Sequence, residues 1–155
     1  MMRRLLPSLS ACVLLLTLSA CGSSESGDPT KVKYAPSLGV DLAAMNRSPT
    51  GLYTQDLVVG TGAVASAGRT AVVHYSGWLP DGTLFDTSRD TGQTFSFVVG
   101  GGRVIAGWDE GVAEMRVGGQ RRLVIPSTLG YGEFGNGPIP PNSVLIFDVE
   151  LVGVQ

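Results

Sequence analysis

Val104-Ile105-Ala106-Gly107-Trp108-Asp109-Glu110-Gly111-Val112-Ala113-Glu114-Met115 is the stretch that decides the fold. Ile105, Trp108, Val112 and Met115 recur at helical spacing and make one apolar stripe, with Glu110 and Glu114 on the opposite side. The helix is short, and Gly107 and Gly111 each weaken it by roughly 1 kcal/mol relative to Ala. It therefore forms only where another element covers its stripe. Every other apolar run between Gly51 and Gln155 reads as β-strand, so the expected packing is a sheet wrapped around this helix with Trp108 at the contact.

Upstream of the helix, Leu52 to Val59 reads as a first strand, closed by Gly60-Thr61-Gly62. Thr70 to Leu79 is a second, which Pro80-Asp81-Gly82 turns back into Thr83-Leu84-Phe85-Asp86. Thr94 to Val99 alternates and places Phe95, Phe97 and Val99 on one face. Downstream, Arg121 to Ile125 is another strand and Thr128 to Pro141 a loop rich in Gly and Pro. Val144 to Val152 closes the series, with Leu145, Phe147, Val149 and Leu151 on its buried face and Asp148 and Glu150 on the other. Short joins predict antiparallel pairing. The fold class is therefore α+β: five or six antiparallel strands around one short helix.

Three parts are expected along the chain. Residues 1–20 have the layout of an export signal, with Arg3 and Arg4 ahead of an uncharged, leucine-rich run. Leu18-Ser19-Ala20-Cys21 resembles a bacterial lipobox, in which Cys21 is acylated and becomes the mature N-terminus. A plain secretory signal that leaves Cys21 a free thiol is the alternative. The lipobox is favoured because the cysteine stands where the apolar run stops and Gly-Ser-Ser follows. Residues 21–50 are expected to be a lipidated, flexible tether, in which Asp41 to Met45 could form one helical turn packed on the domain; whether 30–50 docks there is left open by the sequence. Residues 51–155 form the folded domain. The protein is then exported and held to a bacterial membrane, at the outer membrane or the outer face of the cell membrane.

Loss of Arg3 and Arg4 with the leader takes the formal net charge from −2 to −4, against a nucleic-acid partner. Both cysteines, Cys12 and Cys21, precede the folded domain, so it has no disulfide framework and no cysteine nucleophile. Neither a metal nor another cofactor is expected. The glycines before the helix lack the Gly-Lys-Ser/Thr of a phosphate loop. His74 has no partner set for a triad and reads as a structural residue bonded to a neighbouring loop. Asp86, beside Phe85, is either a turn-closing residue or a polar group aimed into a pocket; a carboxylate there needs donors or water. Tyr75, Phe85, Phe95, Phe97, Trp108, Tyr131 and Phe147 exceed what so small a core usually holds, which points to an open aromatic cup.

At this point the residues resemble a family. Val73-His74-Tyr75-Ser76-Gly77, Asp81-Gly82-Thr83-Leu84-Phe85-Asp86-Thr87-Ser88, Val104 to Gly111, Gly130-Tyr131-Gly132 and Ile139-Pro140-Pro141-Asn142 occur in the order found in the FKBP-type peptidyl-prolyl cis–trans isomerases. The resemblance covers the whole of 51–155. It implies an antiparallel half-barrel curled around the helix and isomerisation of X–Pro bonds without covalent chemistry. It also implies that Asp86, Tyr131, Tyr75 and the Ile105 N–H act on the substrate carbonyls, and that Phe85, Phe95, Val104, Trp108, Ile139 and Phe147 hold the proline. Phe97 matches a more interior ring. The implied partners are proline-containing segments of exported proteins and the macrolide ligands of the family. Arg103 stands where the family commonly has an acidic residue or Gln, and the loop 133–138 is a residue shorter than in small cytosolic members. The competing class is a weakly active chaperone module that binds proline-containing chains in the same pocket.

Overall fold

The computed structural model describes residues 27–155. The leader 1–20 and Cys21 lie outside them. Seven strands and one α-helix follow in chain order: β1 (Asn46–Arg47), β2 (Tyr53–Val58), β3 (Thr70–Trp78), β4 (Leu84–Thr87), β5 (Phe95–Val98), α1 (Ala106–Gly111), β6 (Gln120–Ile125) and β7 (Leu145–Val154). They form one sheet in the order β1-β2-β6-β7-β3-β4, and every pairing is antiparallel. The long strand β3 serves two partners on its far edge. Its first half pairs with β5, Thr70 opposite Val98, and its second half with β4, Ser76 opposite Thr87. The expected α+β sheet is thus present, with the two-residue β1 as an extra edge strand.

The helix lies on β6, and its two glycines explain how. A Cβ on Gly107 would stand 2.5 Å from Ile125, and one on Gly111 2.6 Å from Leu123. The glycines that weaken the helix in isolation are what let its backbone press against the sheet. Trp108, Val112 and Met115 are buried with Leu123, Ile125, Leu145, Phe147, Val149 and Leu151 in the inner core. The helix is shorter than the periodicity predicts. After Val112 the chain turns to pair with the loop before β3: Glu114 N–H donates to Ala65 O and Ala65 N–H to Met115 O. Glu114 takes φ 65° to make that turn, so Met115 reaches the core from outside the helix.

The largest departure concerns residues 27–50. The described part of the expected flexible tether is folded onto the domain as a strap across the outer face of the sheet. Three 3-10 turns, Pro29–Lys31, Pro36–Leu38 and Leu42–Ala44, carry it there. Leu38 and Met45 form a second core with Tyr53, Val124, Val144 and Ile146. Backbone bonds fasten the strap at both ends of that core, Ser127 N–H to Gly27 O at 2.9 Å and Ala35 N–H to Pro80 O at 2.7 Å. Arg122 makes a two-point ion pair with Asp148 across β6 and β7 and gives its remaining guanidinium nitrogen to Leu38 O at 2.6 Å. Thr50, at the strap's end, donates to the Glu110 carboxylate on the helix at 2.8 Å.

Candidate active site

Where β3, β4, β5, α1 and β7 meet, ten residues line a hollow of about 240 Å³. Trp108 and Phe147, each 4% exposed, make its floor. Tyr75, Phe85, Phe95, Val104, Ile105 and Tyr131 form its walls, with Asp86 and Arg103 at the mouth. Rings meet edge to face: Trp108 lies 5.0 Å from Tyr75 at 81° and 5.3 Å from Phe147 at 86°. Phe85 meets Phe147 at 5.4 Å and 87°. That last contact depends on Gly77 of β3, where a Cβ would fall 2.6 Å from Phe147 and 2.7 Å from Phe85. The indole Nε1 of Trp108 is buried without a hydrogen-bond partner among the described residues.

Polar groups at the rim divide into spent and unspent. The Tyr75 hydroxyl donates to Asp86 Oδ2 at 2.7 Å. Asp86 itself is exposed on β4, so its carboxylate caps the mouth of the hollow while Tyr75 pins one oxygen. Asp86 thus sits at the pocket, within a strand, and it is Asp81 that accepts from Thr83 N–H in the preceding turn. The Tyr131 hydroxyl and the Ile105 N–H, by contrast, find no protein acceptor among the described residues. Ile105 stands at the start of α1, where backbone donors have no intrahelical partner. Two donors without an acceptor thus belong to residues that line the hollow, and that lining includes no Ser, Cys or His.

Of the ten residues expected at the site, nine line the hollow and Ile139 does not. Ile139 is 6% exposed and packs in the inner core. Its backbone pairs with Asn136 in both directions at 2.9 Å, and this tight closure of the short loop fixes its place. Arg103 lines the hollow although it was expected only as a changed rim contact. Phe97 is interior, as the resemblance implies. His74 bonds Ser88 at 3.0 Å, and Ser88 also accepts from Tyr75 N–H, so the pair fixes the loop after Asp86. The glycine loop is no phosphate site, because its donors are taken: Gly100 and Gly102 N–H each reach the Asp109 carboxylate at 2.9 Å. Both glycines have positive φ, which turns their N–H groups toward the helix.

Burial first, and then the bond to Asp86, push the Tyr75 hydroxyl pKa well above the ordinary phenol range. Burial raises Tyr34 in the strap in the same direction. The folded chain thus keeps protons that the unfolded chain releases above about pH 10. The stability these groups contribute is complete below that value and is lost as pH rises toward the folded-state pKa. Urea midpoints should accordingly fall between about pH 9 and about pH 11, and fall less in Tyr75→Phe. A wild-type midpoint as steep in its decline as that of the Phe variant would show that Tyr75 is not held in this way.

The sequence model of the FKBP-type peptidyl-prolyl cis-trans isomerases matches residues 62–152. An FK506-binding protein of Neisseria meningitidis serogroup B is 50% identical over 105 residues, 67% of this chain and 96% of its own length. FK506-binding protein 2 of Dictyostelium discoideum is 40% identical over 150 residues, 93% of this chain and 96% of its own. Among solved structures, FkpA from Escherichia coli aligns with a TM-score of 0.69 at 42% identity, over 77% of this chain and 55% of that one. AtFKBP13 aligns with a TM-score of 0.68 at 41% identity, over 72% of this chain and 98% of its own. Since the matched span runs from before β3 to near the end of β7, and so takes in every residue that lines the hollow, the chain belongs to the FKBP-type peptidyl-prolyl cis–trans isomerase family.

Proposed function

We propose that the hollow over Trp108 is the isomerase site, that it acts on X–Pro bonds of exported proteins, and that lipid on Cys21 holds the chain at a membrane. The observation that carries the catalytic part is the pairing of an aromatic floor with two unspent donors. An X–Pro bond turns slowly because amide resonance sets a barrier of roughly 18–20 kcal/mol. Twisting the bond breaks that resonance, and the twisted amide is less charge-separated than the planar one. An apolar cup therefore favours it relative to water. Trp108 lies beneath the proline ring, with Phe95, Val104, Ile105 and Phe147 around it. The Ile105 N–H and the Tyr131 hydroxyl hold substrate carbonyls, and Asp86, through Tyr75, orients the polar side of the mouth. Nothing in this scheme needs a bond to the protein.

Support for the membrane assignment is the lipobox-like Leu18-Ser19-Ala20-Cys21 behind an apolar leader. Two or three acyl chains anchor firmly where one is marginal. Macrolides of the type named in the relatives would occupy the same cup. Incorporation of labelled fatty acid into the wild-type chain, but not into Cys21→Ser, tests the anchor.

For the catalytic reading, isomerisation of a short prolyl peptide should be well above the buffer rate. Tyr131→Phe removes one open donor and should lower kcat/KM about two- to tenfold, the worth of one ordinary hydrogen bond. Wild-type turnover no faster than buffer, together with firm binding of unfolded protein, would favour the chaperone module instead.

A further inference from the structure

The hollow does not stop at Phe95. Phe95, Arg103 and Val104 line it on one side and also line a shallow groove that runs on along β5 past Thr70, Ser96 and Val98. Among the described residues β5 pairs with β3 alone, so its other edge leaves backbone donors and acceptors open. Phe95 and Val98 are 41% and 40% exposed there and give the groove an apolar lining. An open strand edge with apolar neighbours is a receptor for an extended peptide.

Arg103 stands where hollow and groove join. Its backbone is steadied by the Gly102 N–H bond to Asp109. Its side chain is exposed and makes no ion pair or hydrogen bond among the described residues. Nearby carboxylates are already engaged. Asp109 uses both oxygens on Gly100 and Gly102, and Tyr75 bonds Asp86 at the mouth. The junction is thus a free guanidinium over an apolar channel, and such a group complements a carboxylate.

We propose that the groove takes the part of the substrate chain next to the proline, laid along β5, and that Arg103 selects an acidic residue within about three positions of that proline, the span an extended chain covers in roughly 10 Å. This rests on the hollow being the isomerase site.

The test uses prolyl peptides that differ only in carrying Glu, Gln or Lys at each position flanking the proline. They are turned over by the wild-type chain, Arg103→Gln and Arg103→Glu. The readout is the ratio of kcat/KM for the Glu peptide to that for the Lys peptide, which divides out any general loss in a variant. In the wild type the ratio should be about two- to fivefold at one position, as for a partly exposed ion pair. It should approach one in Arg103→Gln, invert in Arg103→Glu, and shrink as salt is raised. A ratio near one at every position, or one that Arg103→Glu leaves unaltered, overturns the proposal. The Gln peptides separate the two levels: if the wild type turns none of them over, the isomerase site itself is wrong and the selectivity falls with it.

Discussion

A chain cut to begin at Gly51 is expected to keep its inner core, lose about 2–4 kcal/mol of stability, and self-associate. Leu38 and Met45 are each only 8% exposed, and they cover Tyr53, Val124, Val144 and Ile146 on the outer face of the sheet. Removal of the strap bares that set as one apolar patch, the kind that drives association. It also strips Arg122 of its bond to Leu38 O and Ser127 of its bond to Gly27 O. The loss stays modest for a definite reason. Ordering residues 27–50 costs conformational entropy, which offsets most of what the buried side chains contribute. The same reasoning sets a ceiling on point changes. Leu38→Ala and Met45→Ala cannot together lose more than the truncation, because a weakened strap simply lifts off. Urea denaturation and sedimentation of the three proteins measure this. A truncated chain as stable and as monomeric as the full one would show that the strap contributes nothing to the fold.

The strap was also where sequence reading stopped short, and the reason is physical. Residues 27–50 carry Pro, Gly and Ser and no run long enough to show a period, so composition alone reads as tether. The signal lay in the strands it covers. Beside Leu123, Val124 and Ile125, and again beside Leu145, Ile146 and Phe147, apolar residues are continuous where one buried face would alternate. Val124 and Ile146 are both fully buried on the outer face. Those two residues required a cover that the rest of the domain does not supply. The inner face is legible because Thr94 to Val99 alternates, β7 alternates from Phe147 to Leu151, and the helix shows a single stripe. Helix length was overestimated because Val112 and Met115 keep the period after the backbone has left it for Ala65. At the site, seven of the ten lining residues lie in motifs whose spacing ties them to the fold, while Phe95 and Phe147 are placed by strand alternation and Arg103 by its position beside the helix motif. Ile139 packs in the inner core, and its position depends on how a short loop closes, which no pattern of apolar residues records.

Asp86→Val is expected to lower kcat/KM by about ten- to a hundredfold, the worth of a hydrogen bond to a charged group. The loss should come largely through Tyr75. At 2.7 Å the hydroxyl of Tyr75 is held by Asp86, and its ring stands 5.0 Å from Trp108, so the carboxylate fixes a wall of the hollow as well as a charge at its mouth. Val strands that hydroxyl beside an apolar side chain, and an unpaired group of this kind turns toward water or toward the cavity. Tyr75→Phe removes the hydroxyl and keeps the ring, so it should lose less. The double variant Tyr75→Phe/Asp86→Val should then be no worse than Asp86→Val alone, because the group that Val strands is gone. Such non-additivity is what a shared interaction produces, whereas independent effects add. Circular dichroism and urea midpoints for all three variants guard against a loss of fold, and Asp86 is exposed enough that none should be large. If the two single losses instead multiply in the double variant, the carboxylate acts on the substrate by its own field and Tyr75 is only a wall.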